Sequence, residues 1–444
     1  MTDSVSVTIV GRVHFLRALQ SRPFTLFWAG QTVSIVGNGA FTTVLAWQVL
    51  LLTHSATAMG LYLTAQMIPS LVFLLVGGIA ADRLPRRTLL LLADGGRAVV
   101  VLVIALLCLL HLLQLWHLLV LGFLFGIAGA FFQPAFQAIP PQLVERSALP
   151  SANALTQLSI QVGILLGPVV GAICITLAGP SLGFAFDGLT FLVSVLSLWF
   201  IRQAALRAPA TQPDPGKEET GAMQTSNPAM EHGAHPPSGI SGMVADLRDG
   251  LSYILHSTWL LVTIVIPSIG SLGSAVLIAV VLPKLIYDDY EAGVWLLGAF
   301  GTAVGLGWMT ATFLVGQLHL RRRGLIAFLM RSVASLALLA LGLPFPHSSE
   351  PVVALIAGFL YGLGTGTLQT IWVTLLHELV PNEKLGRVSS IDLLGSFLLT
   401  PLGYLLAGSL ADHLNPAWVF LAGGILNLLL NGIALSLRDI RSLR

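Results

Sequence analysis

A chain of 444 residues with 55% hydrophobic and only 9% charged side chains, at a mean hydropathy of +0.86, carries more apolar surface than a soluble fold of its size can hide. One crossing takes about 20 residues, so the length allows about twelve membrane helices, and the class is a polytopic α-helical membrane protein. A net charge of +2, from 22 Lys and Arg against 20 Asp and Glu, excludes a nucleic-acid footprint.

Residues 1–23 hold Arg12, Arg17 and Arg22 around a short apolar stretch with no small-residue cleavage site after it, which reads as a cytoplasmic tail. Six apolar runs follow, near 24–52, 58–80, 89–110, 116–139, 152–177 and 182–201. A stretch rich in Pro, Gly, Ser, Thr and charge then reads as a flexible cytoplasmic linker over 203–243. After it, Met243, Leu247, Leu251 and Ile254 recur at helical spacing among charges, predicting an interfacial helix over 244–257. Six more runs lie near 259–282, 292–315, 325–343, 352–375, 388–410 and 418–437, and 438–444 is a second tail. The expected division is a bundle over 24–202 and a second over 258–437.

Positive charge tests the count, because Lys and Arg are retained in cytoplasmic loops. With the N-terminus inside, all but three of the 22 fall in inside segments; Arg97 and Arg331 sit within the third and ninth helices, toward their cytoplasmic ends, and Lys284 is external. One helix more or fewer would reverse every later loop. Twelve spans with both termini cytoplasmic is the consistent solution. The halves also echo one another: Leu143-Val144 and Leu379-Val380 are separated by the same offset as Arg202 and Arg438, as parallel repeats require. Cys108 and Cys174 lie inside apolar runs, with no disulfide or metal spacing.

The loop after the second helix carries Gly78, Asp82, Arg83, Pro85, Arg86 and Arg87. Gly78 is expected to admit a neighbouring helix, Asp82 to accept from a helix N-terminus, and the arginines to hold the interface, together a latch that breaks when the halves rock. The matching second-half loop keeps Arg321 to Arg323 and lacks the acid, which predicts one strong latch and one weak one. The fifth helix spaces Gly163, Gly167 and Gly171 one turn apart, a smooth stripe for close packing, with Pro168 permitting a bend.

These segments resemble the major facilitator superfamily. The loop is similar to its G-x-x-x-D-R-x-G-R-R signature, with Pro85 in place of a Gly, and Gly163 to Ala172 resembles its antiporter motif G-x-x-x-G-P-x-x-G-G, with Ala172 in place of the last Gly. Arg22-Pro-Phe24, Phe27-Trp28-Ala-Gly30-Gln31, Pro134-Ala135 and Ala152-Asn153-Ala154-Leu155 are similar to the branch containing siderophore, macrolide and multidrug exporters. The resemblance implies twelve helices in two pseudo-symmetric halves, alternating access, and export more than uptake. An uptake symporter or a lipid or lysolipid transporter of the same fold is the alternative. Members of the branch carry an Asp after a Gly in the middle of the first helix, where this chain has Gly37-Asn38. An Asn there can still hydrogen-bond substrate but cannot load a proton, which departs from the branch's common coupling route.

Buried charge is costly in a membrane, so each intramembrane acid is a proton-coupling candidate: Asp187, Asp94 and Asp392. Asp94 and Arg97 are three residues apart and predict an ion pair. Asp187, near the outer end of the sixth helix, has no charged residue at helical spacing and is the stronger candidate. Gln31, Asn38, Trp47, Gln133, Gln137, Gln157, Gln161, Tyr361, Gln369 and Trp372 suggest a roomy cavity for an amphipathic molecule, and the resemblance implies that the first, fourth, seventh and tenth helices line it.

A nucleotide motor is not encoded, since the one Gly-Lys pair, Gly216-Lys217, is followed by Glu218. Nor is a hydrolase: H-E-x-x-H is missing, and Gly179-Pro-Ser-Leu-Gly183 sits in a turn without a preceding strand. The expectation is a non-enzymatic, cofactor-free, monomeric secondary transporter of a bacterial cytoplasmic membrane. Its partners are a small molecule, a proton or other coupling ion, and lipid.

Overall fold

The computed structural model describes the backbone of residues 16–201, 240–318 and 320–443, without the side chains of 74, 75, 81, 82, 240–247, 382 and 396–398. Most of the N-terminal tail and of the expected linker, and the Asp82 side chain, lie outside the described residues. Among the described residues twelve helices are long and apolar enough to cross a membrane: α1 (Arg22–Thr53), α2 (Ala56–Arg83), α3 (Arg86–Leu109), α4 (Leu115–Ala138), α5 (Leu149–Ala178) and α6 (Pro180–Phe200), then α7 (Thr258–Val280), α8 (Val294–Gln317), α9 (Arg323–Leu341), α10 (Glu350–Leu379), α11 (Glu383–His413) and α12 (Pro416–Ser436). A further helix, Ile240–Leu255, runs into α7.

Local chemistry sets several of the ends. Ser21, Ser55 and Asn415 each accept a backbone N–H of the first turn that follows, of Phe24, Ala58 and Ala417, satisfying donors that a helix start leaves open. Gly179 joins α5 to α6 in a single residue at φ +79°, a conformation that a side chain would strain, and Pro180 then starts α6. Ser181 is therefore a first-turn helix residue.

In the first half α1 packs on α5 and α6, α2 on α4, and α3 on α4 and α6; in the second, α8 packs on α10, and α9 on α10 and α12. The halves meet through α5 with α8 and α2 with α11, pairs exchanged by a two-fold relation between the halves. The start of α1, the end of α12 and the described basic loops lie at one end of the bundle, called here the basic end.

Three expectations need correction. α7 is not continuous, since its helix stops at Leu272, turns through Gly273 and Ser274 and resumes at Ala275. Arg97 and Arg331 lie midway along α3 and α9, not toward one end. α11 is interrupted as well, at Leu399, before Pro401 in the next turn.

Candidate functional site

The first half buries a charge cluster where α1, α3 and α6 meet. Asp94 and Asp187 are both 0% exposed and Arg97 is 7% exposed. Arg97 Nη1 lies 3.7 Å from Asp94 Oδ1. Asp94 Oδ2 accepts from Ser194 Oγ at 2.6 Å and from Gln31 Nε2 at 3.1 Å. The guanidinium also sits over the Phe132 ring, 4.1 Å from its centroid, and near Phe125 and Phe191, a stack that compensates lost hydration.

Asp187 belongs to the same cluster. It is fully buried two turns into α6, and its charged neighbour, which α6 could not supply, is Arg97 on α3. Its Oδ1 accepts from Thr190 at 3.4 Å, while Oδ2 is buried with no hydrogen-bond partner. Space for it comes from α1: a Cβ at Gly37 would lie 2.7 Å from Asp187 Oδ1 and 2.0 Å from Thr190 Oγ1. The carboxyl thus occupies the flank of α1 beside Asn38.

The residues expected to line a cavity divide into two groups. Asn38, Gln133, Gln137, Gln157 and Gln369 are exposed, in the middle of their helices or toward the basic end, on α1, α4, α5 and α10. Amides at membrane depth are costly unless they meet water or another polar group. Gln161, one turn on from Gln157, is half-buried, and its Oε1 has no partner. Gln31 is not a lining residue, because it is buried and its Nε2 also donates to Ser194 Oγ at 2.8 Å. Trp47 is buried edge-on against Tyr287. Trp372 is buried beside Trp259 and donates to Asp392 at 3.0 Å, which makes Asp392 an indole acceptor on α11. Tyr361 is buried in the second half.

At the basic end, Arg86 donates to the Ala138 carbonyl at 2.6 Å, and Arg87 to those of Leu198 and Trp199 at 2.8 Å. The two arginines cap the ends of α4 and α6, where carbonyls lack partners. Arg83 is exposed. Gly78 does not admit a helix here, for a Cβ there would meet nothing within 4 Å; its neighbour Gly77 does, against the Ala130 carbonyl of α4. In the second half, Arg323 pairs with Glu378 of α10, an acid that the loop itself lacks.

The α5 stripe faces α1: a Cβ at Gly163 would lie 2.4 Å from Ile35, one at Gly167 2.6 Å from Gly39, and one at Gly171 2.6 Å from the Ala40 carbonyl. Pro168 faces the other way, where a Cβ at Gly298 of α8 would lie 2.8 Å from its carbonyl oxygen. Thr302 of α8 donates to the Leu165 carbonyl at 2.8 Å beside it. The far end was not foreseen as a site. There Asp412 of α11 accepts from Ser55 Oγ at 2.5 Å and from the Ala56 and Thr57 amides at 2.8 and 2.9 Å, a carboxylate on the N-terminus of α2. Lys284 joins it, 3.7 Å from Asp412, 2.9 Å from Asp288 and 2.9 Å from the His54 carbonyl oxygen.

Two six-helix bundles that meet through the helix pairs α5–α8 and α2–α11, with exposed amides along their spans, have the architecture of a membrane transporter. The profile described as Major Facilitator Superfamily matches residues 27–398 and 349–442, and the chain belongs to that family. It is similar to enterobactin exporter EntS of Escherichia coli O1:K1 / APEC, 26% identical over 95% of this chain and 93% of the relative. The enterobactin exporter EntS of Shigella boydii serotype 18 (strain CDC 3083-94 / BS512) matches to the same extent. Among solved structures, a bacterial homologue of the iron transporter ferroportin in an inward-facing state shares the fold at TM-score 0.65 and 17% identity, covering 94% of this chain and 99% of that one. A bacterial homologue of the human lysosomal transporter Spinster does so at TM-score 0.64 and 13% identity, covering 95% and 96%. The family is one of transporters, not enzymes.

Proposed function

We propose that the protein is a proton-coupled exporter of amphipathic small molecules that works by alternating access in a bacterial cytoplasmic membrane, with its basic end and both termini in the cytoplasm. One observation carries the coupling: two buried carboxyls, Asp94 and Asp187, share a single guanidinium, Arg97. With both acids ionised the cluster holds one negative charge in excess, at a depth where a charge without a partner is costly. One proton neutralises it. Asp94 has the nearer guanidinium and two donors, so the proton goes to Asp187, whose Oδ2 is without a partner.

Proton binding reaches the pathway through α1. Asp187 and Thr190 press on Gly37, and Asn38 beside it is exposed among the polar residues. Loading and unloading the proton changes the contact of α6 with α1, and α1 rests along the α5 stripe whose Pro168 meets α8 of the other half. Export is supported by the two relatives named as exporters and by the resemblance of Gly163, Gly167, Pro168 and Gly171 to an antiporter motif. In this loop Arg86 and Arg87 hold the ends of α4 and α6 within the first half, and the space around Gly78 is open, as a latch between the halves that is not fastened would leave it.

Inverted membrane vesicles with an acid interior test the reading, using a panel of dyes, macrolides and siderophores. Gradient-driven accumulation inside the vesicles is expected. Substrate driven only outward ends the export reading. Asp187→Asn is expected to cut gradient-driven accumulation at least tenfold while leaving downhill exchange intact; unchanged accumulation removes Asp187 from the mechanism.

A further inference from the structure

The second half contains a buried arginine as deep as Arg97, in the corresponding helix, and among the described residues no acid balances it. Arg331 is 8% exposed in the middle of α9. Its Nη2 donates to the Pro267 carbonyl oxygen over a long 3.4 Å, and its Nε is buried without a partner. Among the described residues the groups that face it are neutral: Pro267 and Gly270 on α7, Tyr361 on α10, and Asn427 on α12, whose Oδ1 converges with Arg331 Nη2 on Gly270. On its own helix Ser335 donates to its carbonyl at 3.0 Å. A cation in the membrane interior is normally paired, and leaving one unpaired costs several kcal/mol in general.

Two features connect this cation to the pathway. α7 is unwound at Gly273 and Ser274, within a turn of Gly270, and interrupted helices near mid-membrane are where transporters of this architecture hold charged groups. Tyr361 interacts with both the guanidinium and Ser274, and it lies on one stripe of α10 with Thr365 and Gln369, the last of which is exposed. Tyr361 therefore stands between Arg331 and the polar face.

We propose that Arg331, with Tyr361 and Asn427, is an anion subsite that takes an acidic oxygen group of the cargo, a carboxylate or phenolate. This rests on the exporter reading and narrows its substrate class to molecules with a negative group on an apolar body. It also gives the halves different tasks. The first neutralises its arginine internally and handles the proton; the second leaves its arginine for the cargo.

The test uses two xanthene dyes of similar shape and opposite charge, fluorescein (carboxylate and phenolate) and rhodamine 123 (cation). Binding to the full-length protein in lipid nanodiscs is read by fluorescence anisotropy without a gradient. Wild-type protein is expected to bind fluorescein at least tenfold more tightly than rhodamine 123. Arg331→Gln should lose about tenfold for fluorescein and nothing for rhodamine 123, with Arg331→Lys recovering most of the loss; a role in packing alone would weaken both dyes together. Equal binding of the two dyes by wild-type protein overturns the subsite even if Arg331→Gln does not fold, and so does fluorescein binding that Arg331→Gln leaves unchanged. Export has a separate readout. Gradient-driven rhodamine 123 uptake with no Arg331-dependent anion site sinks the subsite alone, whereas an anion site without gradient-driven transport sinks the exporter reading alone.

Discussion

Gly37 and Asn38 explain how a chain without an acid in α1 could still place a carboxyl there. Asp187 reaches from α6 into the space that a side chain at Gly37 would fill, one residue from Asn38. The acid's position along α1 is kept while its attachment moves to another helix. Asn38→Asp combined with Asp187→Asn is therefore expected to regain part of the gradient-driven accumulation that Asp187→Asn alone loses, measured in the same acid-interior vesicles. No recovery, with the protein present at normal level, would separate the two positions. Gly37→Ala should act oppositely, pushing Thr190 and Asp187 away at an overpacking cost of about 1–3 kcal/mol, seen as lower thermal stability and at least tenfold weaker accumulation. Outside the spans, burial holds the Asp289 carboxyl above its usual range, with the Asn415 amide, 3.2 Å from its Oδ1, drawing it back. An acid whose folded value is raised favours the folded state at low pH, and that advantage is lost as pH rises through the folded value. Asp289→Asn should accordingly make the melting temperature fall less as pH rises from the ordinary carboxylate range, checked by thermal unfolding in nanodiscs.

Each of the twelve spans was legible because crossing the hydrocarbon demands a long apolar run whatever its neighbours are. Breaks inside a run were not. Gly270-Ser-Leu-Gly-Ser274 reads as a small-residue packing stretch, and the close approach of Gly273 to Asn427 and Gly423 of α12 at the break depends on how the helices cross. The cluster was half legible: Asp94 and Arg97 share a helix and a spacing, but the third member and the role of Gln31 depend on how α1, α3 and α6 cross. Gln31 and Asn38 illustrate the limit, two turns apart on one face, the first sealed by Asp94 and Ser194 and the second open. In α5, Pro168 cannot donate to the Ile164 carbonyl, and its ring lies where a Cβ at Gly301 of α8 would come within 2.8 Å. Pro168→Ala restores the missing bond and removes the ring from the seam with α8. It is expected to raise the melting temperature by a few degrees and slow turnover severalfold, read by unfolding and by initial rates on one preparation.

The whole molecule alternates access only if the seam opposite the basic end opens, and that seam has an identifiable fastening. Close backbone approach of α2 to α11 brings the helices together, with a Cβ at Gly60 only 2.3 Å from the Tyr404 carbonyl oxygen, and Thr64 donates to Pro401 at 3.2 Å. Contacts of this kind, which involve no ionised group, hold in either charge state. What is specific to the closed seam is Asp412, which stops the open N-terminus of α2 and recruits Lys284 and, through it, the His54 carbonyl. These bonds are charge-assisted but partly open to water, so together they contribute about 1–2 kcal/mol. At about 1.4 kcal/mol per factor of ten, losing them shifts the balance between the two facing states roughly five- to thirtyfold. Asp412→Ala should therefore raise the labelling rate of Thr64→Cys by a membrane-impermeant thiol reagent added from the periplasmic side about fivefold or more, in a background lacking Cys108 and Cys174. Lys284→Ala should give a smaller rise, because it leaves the bonds of Asp412 to the α2 amides intact. High salt should narrow the difference between Lys284→Ala and the parent by screening the ion pairs. Equal labelling in all three proteins would mean that α2 and α11 are held by packing alone and that the switch between states lies elsewhere.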